Sequence, residues 1–286
     1  MAHNFDIYQS LWAMEQRIPG QPEDSIEVHL ERIAEAGYAG ACLDPNVSEI
    51  PDCLALKPVF ERLGLKCMVN AFPHDEASLE PLLDMSKEMN AEQVNVIGGV
   101  MPLSAAEATP VIRSWLSMAE GYSFPVLLET HRNGTLNDLF FTLEVLERVP
   151  ELRLCADLSH FVVDRELQIP LNDTDEGYFS TILERSDSFQ GRISNNQQIQ
   201  IPLNFPQHAA WVDQYRSWWQ QGFRGWCARQ TEDATLRFLV ELGPPPYAIT
   251  DGLQRELSDR WQEGLLIREW VEAIWSDVQA TLPAAG

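Results

Sequence analysis

The sequence predicts an α/β protein, a single-domain (β/α)8 TIM barrel that occupies residues 1–286. Eight short apolar runs alternate with segments of helical periodicity, which is typical of a parallel sheet covered by helices. No internal repeat, composition break or linker divides the chain. An open doubly wound sheet is the rival fold, but it usually has a glycine-rich turn after its first strand. Here that position reads Q-S-L-W-A-M, so the barrel is favoured.

The predicted strands are short apolar runs, as expected for parallel strands that are buried on both faces. They cover residues 5–9, 38–43, 65–70, 93–97, 125–129, 153–156, 188–193 and 236–241. The predicted helices cover residues 26–34, 51–63, 76–89, 105–120, 136–148, 178–185, 209–220 and 257–278. Ser25 offers N-cap chemistry, and Gly37 and Gly64 end the first two helices. Long loops are predicted after the sixth strand and at residues 195–207.

Composition and charge exclude several classes of protein. Acidic residues outnumber basic ones 43 to 20, which gives a formal net charge of −23. This charge repels nucleic acids and anionic membranes. The five cysteines are scattered without a C-x-x-C pair, which indicates reduced thiols. No signal-peptide pattern is evident, and no apolar run approaches the ~18 residues of a membrane span. We therefore expect a soluble cytoplasmic protein without nucleic-acid or membrane partners.

Four predicted strands end in an acidic residue. Glu129 closes the run P-V-L-L-E-T-H-R at residues 125–132, and Asp44, Asp157 and Glu241 end three other strands. Because catalytic residues of such barrels lie at the carboxyl ends of the strands, barrel closure brings these acids into one ring. Each acid taken alone is as well explained as the N-cap of the next helix. For Asp44, which precedes a proline, the structural role is favoured over a functional one.

Other polar side chains follow the same strand ends. They are His131, Arg132, His160, Gln190 and Arg192. Carboxylates beside imidazoles suit Mn²⁺ or Mg²⁺. Such an ion polarises a carbonyl oxygen, and neighbouring carboxylates can then move a proton to and from carbon. The two arginines suit a substrate carboxylate, phosphate or ring oxygen. Isolated histidines, however, are often satisfied by the backbone instead.

Three motifs resemble the xylose isomerase-like barrels: L-L-E-T-H-R, C-A-D-L-S-H, and E-L-G-P-P-P-Y followed by R-E-L-S-D-R-W. This superfamily contains sugar and sugar-phosphate isomerases and epimerases, together with endonuclease-type relatives. The resemblance implies a divalent metal held by Glu129, Asp157, the end of the seventh strand, and Glu241. It also implies that the two glutamates are the catalytic acid/base pair and that His160 touches substrate oxygens.

The seventh strand departs from this pattern. Relatives carry H-A-R-V-G there, whereas this chain has Q-G-R-I-S, so Gln190 replaces the expected imidazole ligand and Arg192 is kept. An amide oxygen binds hard cations but is a weaker donor than imidazole for transition metals. We expect the metal to be retained, because three clustered carboxylates without a cation repel one another. Mn²⁺ or Mg²⁺ is favoured over Co²⁺ or Zn²⁺. Weak binding and loss of the metal stay open.

The function implied is a metal-dependent isomerase or epimerase of a keto-sugar or polyol-type substrate. It would transfer a proton through a metal-bound enediolate. The residues expected to bind the substrate are His131, Arg132, His160 and Arg192. Two alternatives stay open, a lyase or dehydratase acting on a keto-sugar or keto-inositol, and a metal-free barrel that binds a sugar-like ligand. The endonuclease branch is set aside, since it needs a basic DNA face. We also expect copies of the chain to associate through their helices into a homo-oligomer.

Overall fold

Eight parallel strands close into a barrel in the computed structural model, which describes residues 3–282. The strands pair in chain order and β1 pairs with β8, which confirms the predicted barrel. Their bounds are β1 Asn4–Ser10, β2 Gly40–Leu43, β3 Lys66–Ala71, β4 Ala91–Val96, β5 Val126–Glu129, β6 Leu154–Ala156, β7 Ser186–Gly191 and β8 Thr235–Val240. Because all strands are parallel, their carboxyl ends meet at one end of the barrel, where the loops form its mouth.

Ten α-helices surround the barrel within the described residues. They are α1 Ile26–Glu35, α2 Ile50–Ala55, α3 Lys57–Leu63, α4 Leu79–Glu88, α5 Ala105–Ala119, α6 Leu139–Arg148, α7 Leu158–Asp164, α8 Asp173–Glu184, α9 Ala209–Arg229 and α10 Arg260–Thr281. Ser25, Ser104 and Asp138 cap the starts of α1, α5 and α6 through side-chain hydrogen bonds, as N-cap residues do. Gly64 ends α3 in the left-handed conformation.

The helices differ from the sequence prediction at four places, the first being the start of α8, which lies at Asp173 and not at residue 178. Residues 158–164, predicted as part of a loop, form α7, because the Asp157 carboxylate accepts the Ser159 N–H and caps the helix. The predicted helix at 51–63 is divided at Leu56 into α2 and α3. Helix α9 continues to Arg229, well beyond the predicted end at residue 220. Its extension includes Gly222, whose missing side chain lets the helix lie against the Phe189 ring.

The core lies between the barrel and the helices. The tryptophans of α9, Trp211, Trp218, Trp219 and Trp226, are buried, which confirms that they pack the helix rather than form a stacking surface. All five cysteines are free and buried. Among residues 3–282, no helix is long and apolar enough to cross a membrane.

Gly40 allows the first three strands to approach one another. A Cβ atom at this position would lie 2.1 Å from the backbone oxygen of Lys66 and 2.6 Å from the Tyr8 ring. Because the backbone of β3 cannot move away from the added methyl group without a loss of stability, we expect Gly40→Ala to lower the free energy of unfolding by about 1–3 kcal/mol. Gly177→Ala in α8 is the control, since a Cβ there meets no atom within 4 Å. Urea unfolding of both variants checks this; equal midpoints would contradict it.

Candidate active site

Three carboxylates meet at the mouth of the barrel. Glu129 ends β5, Asp157 follows β6 and Glu241 follows β8. One oxygen atom from each lies within 4.8 Å of the other two, and all three residues are buried. We call this group the carboxylate cluster. The strand ends that the sequence singled out are thus brought together as barrel closure requires.

Both glutamates of the cluster are shifted towards the protonated form. Burial raises the pKa of Glu129 well above its usual range, and the nearby charges of Glu241 and Asp157 raise it further. Burial raises the pKa of Glu241 to about 8, although the Arg192 guanidinium opposes this shift. A carboxyl whose pKa lies near neutral pH can both take and give a proton. Glu241 can therefore take or give a proton near neutral pH, and Glu129 favours its protonated form.

Gln190 lies on β7, directly beside Glu129. Its side-chain nitrogen Nε2 donates a 2.7 Å hydrogen bond to Oε2 of Glu129. The other atoms of this pair, Oε1 of Gln190 and Oε1 of Glu129, are buried and have no hydrogen-bond partner among the described residues. A buried acceptor without a donor costs about 1–3 kcal/mol. A bound cation or a substrate donor would remove that cost, so both oxygens are suited to a ligand.

Arg192 lies two residues after Gln190 and neutralises part of the carboxylate cluster. Its Nε atom donates to Oδ2 of Asp157 at 3.1 Å, and its Nη2 atom forms an ion pair with Oε2 of Glu241 at 2.8 Å. The guanidinium also lies over the Tyr247 ring, 4.6 Å from its centroid. Burial disfavours the charge of Arg192, but the two carboxylates outweigh burial and the pKa is raised. This arginine is a fixed positive charge in the site.

Two histidines lie side by side at the same mouth. The ring centroids of His131 and His160 are 4.0 Å apart. The His160 Nε2 atom is 3.4 Å from Oδ2 of Asp157, and neither ring nitrogen of His160 has a hydrogen-bond partner among the described residues. Burial lowers the pKa of His131 to about 4 and that of His160 well below its usual range. Both imidazoles therefore favour the neutral form, and Nδ1 of His131 accepts a hydrogen bond from the Asn133 N–H.

A cavity of about 410 Å³ opens beside the carboxylate cluster, within the size range of small-molecule sites. We call it the mouth cavity. Its lining includes Trp12, Asp44, Phe72, His131, Arg192, Glu241 and Tyr247. Arg132, predicted to bind substrate, is exposed and lies 5.8 Å from the centroid of the Tyr247 ring.

Apart from His131, Arg192 and Glu241, the residues that line the mouth cavity are not among the predicted site residues; they are Trp12, Asp44, Asn46, Phe72, Ile97 and Tyr247. Trp12 and Tyr247 were not singled out, and Asp44 was expected to have a structural role. One signal was present, since Trp12 follows β1 and Tyr247 follows β8, so both lie in loops at the carboxyl ends of strands. For Asp44, burial raises the pKa to about 7, while the hydrogen bond from the Asn70 side chain opposes the shift.

The residues present fit a hard divalent cation. The carboxylate cluster and the free Gln190 oxygen form an all-oxygen donor set, which suits Mg²⁺ or Mn²⁺. A second group of potential ligand atoms, from Glu129, His131 and His160, also lies within 4.8 Å of one another. Two features weaken the affinity for transition metals. Gln190 supplies an amide rather than an imidazole, and Arg192 already occupies oxygens of Asp157 and Glu241.

No protein-family model and no curated protein matches the chain. Solved structures match along nearly its whole length. A D-psicose 3-epimerase is 11% identical with a TM-score of 0.57, covering 94% of this chain and 99% of its own. An L-ribulose 3-epimerase is 11% identical with a TM-score of 0.57, covering 98% and 99%. A xylose isomerase domain protein from Planctomyces limnophilus is 10% identical with a TM-score of 0.55, covering 96% of each. The chain therefore has the fold of the xylose isomerase-like barrels.

Proposed function

We propose that the protein is a metal-dependent isomerase or epimerase of a keto-sugar or polyol-type ketone. One observation carries this proposal: Glu129 and Glu241 have oxygens within 4.8 Å of each other beside a ligand-sized cavity, and the pKa of each is raised. This pair is equipped to remove a proton from carbon and to return one. The fold shared with a D-psicose 3-epimerase and an L-ribulose 3-epimerase supports the keto-sugar class.

The reaction requires one glutamate in the carboxylate form and the other in the protonated form. The carboxylate takes the proton from the carbon next to the carbonyl, and the electrons of the broken C–H bond move into an enediolate of the substrate. The protonated glutamate then delivers its proton to a carbon of the enediolate. A divalent ion held by Glu129, Asp157, Gln190 and Glu241 would polarise the carbonyl and hold the neighbouring hydroxyl.

The remaining residues of the site orient the substrate and stabilise its charge. Neither ring nitrogen of His160 has a partner among the described residues, so its neutral form can donate one hydrogen bond and accept another at a sugar hydroxyl. Nδ1 of His131 accepts a hydrogen bond from the Asn133 N–H, so neutral His131 can donate to the substrate through Nε2. The Arg192 guanidinium stabilises negative charge on substrate oxygens in a site shielded from water. Arg132 is exposed and does not line the mouth cavity, so it would contact only a part of the substrate that extends out of the cavity.

Proton exchange with solvent tests the proposed reaction. The protein is incubated in deuterated water with a panel of free ketohexoses, including D-fructose, D-allulose and D-tagatose, and the carbon-bound protons are followed by NMR. We expect one carbon to lose its proton signal as the epimer or isomer accumulates. An unsaturated product would instead support the lyase or dehydratase. If no sugar of the panel exchanges a proton, the proposal fails.

Metal binding is expected to raise the thermal stability of the protein. A ligand at 100 times its dissociation constant stabilises the folded state by about 2.7 kcal/mol. We therefore expect Mn²⁺ or Mg²⁺ to raise the Tm of protein treated with chelator, and calorimetry to show about one bound ion per chain. Gln190→His supplies an imidazole donor and is expected to increase the affinity for Co²⁺ or Zn²⁺.

The control for this variant is Gln197→His, which adds the same imidazole at an exposed position of the loop after β7. Its metal affinity is expected to equal that of the unmodified protein. If Mn²⁺ and Mg²⁺ leave the Tm of the unmodified protein unchanged, the metal-free sugar-binding barrel is favoured instead.

A further inference from the structure

Three amide side chains form a directional hydrogen-bond chain inside the barrel. Gln93 Nε2 donates to Asn95 Oδ1 at 2.8 Å, and Asn95 Nδ2 donates to Asn70 Oδ1 at 2.9 Å. Asn70 Nδ2 then donates to Oδ1 of Asp44 at 2.9 Å. We call these three residues the amide chain. They project from β3 and β4, where the interior of such a barrel is usually filled by branched aliphatic side chains.

The amide chain leads to a carboxylate that is only half satisfied. All three amides are buried, and every amide nitrogen in the chain donates towards Asp44. The Oδ1 atom of Asp44 is occupied by Asn70, whereas Oδ2 has no hydrogen-bond partner among the described residues. Burying three amide side chains is costly unless their hydrogen bonds are made. An arrangement that fixes a carboxylate and leaves one oxygen free is suited to a ligand that donates a hydrogen bond.

Asp44 faces the space where a substrate would lie. It lines the mouth cavity together with Trp12 and Glu241. It also lines a neighbouring cavity of about 540 Å³, which shares Trp12 with the mouth cavity. Asp44 and Glu241 thus face the same cavity, and a molecule bound there can contact both.

The charges around the mouth cavity disfavour an anionic substrate. Among the described residues that line it, Arg192 alone carries a fixed positive charge, and it is ion-paired with Asp157 and Glu241. None of the three lysines of the chain lines the cavity. A phosphate group close to Asp44 would find no free cation among the residues that line the mouth cavity. Asp44 in its ionised form would also repel it, since like charges at short range repel.

We propose that Asp44 is a substrate-binding residue that accepts hydrogen bonds from hydroxyl groups at the end of the sugar remote from the reacting carbon. It thereby selects an uncharged polyhydroxy ketone over a sugar phosphate. Asn70 is the positioning residue that holds Asp44 in place. This proposal rests on the proposed isomerase or epimerase function and names the substrate class and the residue that selects it.

Two substitutions at Asp44 separate its hydrogen bond from its charge. Asp44→Ala removes the acceptor. We expect it to raise the KM of a free ketohexose by about 10-fold or more, the effect of losing a hydrogen bond to a charged group, with little change in kcat. The KM of the matching 6-deoxy ketose is expected to change much less. Asp44→Asn keeps the shape and removes the charge, and it is expected to reduce the preference for D-fructose over fructose 6-phosphate by about 10-fold.

The control is Asp6→Asn, which makes the same charge change on β1, where Asp6 pairs with Lys66 away from the mouth. It is expected to change neither KM nor the preference. Asn70→Ala is expected to resemble Asp44→Ala in its KM effect, and Asn70→Gln to restore part of the loss.

Calorimetry measures the binding of D-fructose, D-allulose and fructose 6-phosphate alongside the kinetic measurements. The inference is overturned if the unmodified protein binds fructose 6-phosphate more tightly than the free ketohexoses, or if it binds no ketohexose. It is also overturned if Asp44→Ala leaves ketohexose binding and KM unchanged. If ketohexoses exchange a proton while Asp44→Ala behaves normally, only the inference fails. If ketohexoses bind through Asp44 but exchange no proton, the proposed reaction fails, whereas the proposed role of Asp44 in substrate binding stands.

Discussion

Replacing Glu129 by glutamine is expected to lower kcat for the proposed reaction by about 10²–10⁴-fold, the contribution typical of a general acid or base. Glutamine has the same shape, and its carbonyl oxygen can still accept the 2.7 Å hydrogen bond from Gln190. Because burial already favours the neutral form of Glu129, the substitution is not expected to lower the Tm. The measurement combines NMR-detected turnover with thermal unfolding, and full turnover would contradict the mechanism.

Glu241→Gln supplies the companion experiment. For an epimerase that uses two bases, each single variant keeps one base and is expected to exchange solvent deuterium slowly with one epimer only. The epimer that still exchanges should differ between Glu129→Gln and Glu241→Gln. Glu92→Gln is the control, since Glu92 pairs with Arg237 outside the mouth cavity. Exchange of the same epimer by both catalytic variants would argue against opposed glutamates.

Arg192→Met is expected to lower the free energy of unfolding by about 3–5 kcal/mol, the cost of breaking a buried ion pair by removing one partner. Methionine fills much of the volume but leaves Asp157 and Glu241 without their cation. Urea unfolding in the presence of chelator measures the change. Arg153→Met is the matched control, because the Arg153–Asp187 pair is partly exposed and such pairs contribute only about 0–1 kcal/mol.

Divalent metal is expected to recover part of the stability lost in Arg192→Met. A cation bound between the carboxylates would replace the positive charge that Arg192 supplies, so Mn²⁺ should raise the Tm of the variant more than that of the unmodified protein. Equal free energies of unfolding for Arg192→Met and the unmodified protein would show that the two ion pairs do not stabilise the fold.

The barrel could be predicted from the sequence because its signal is local. Short apolar runs are typical of parallel strands that are buried on both faces. The acidic residues at the ends of these runs indicate which end of the barrel forms the mouth. Glu129, Asp157 and Glu241 therefore came together without any pairwise information. Helix α7 was missed because Asp157, read as a site residue, also caps that helix.

The pairings within the site could not be predicted in the same way. Sequence position places Gln190 and Arg192 at the end of β7, but it does not say that the amide nitrogen binds Glu129 or that the guanidinium bridges Asp157 and Glu241. These contacts depend on side-chain directions and on burial, which only the folded barrel defines. Asp44 shows the same limit, because its partner Asn70 belongs to the next strand.

The amide chain makes the interior of the barrel part of substrate selection. Asn70 and Asn95 belong to strands and not to the loops that ordinarily vary among barrels of one fold. Exchanging the mouth loops between two such barrels would therefore transfer Asp44, which follows β2, without the amide chain that positions it. Conversely, substitutions at positions 70 and 95 offer a way to alter the range of accepted sugars without touching Glu129 or Glu241.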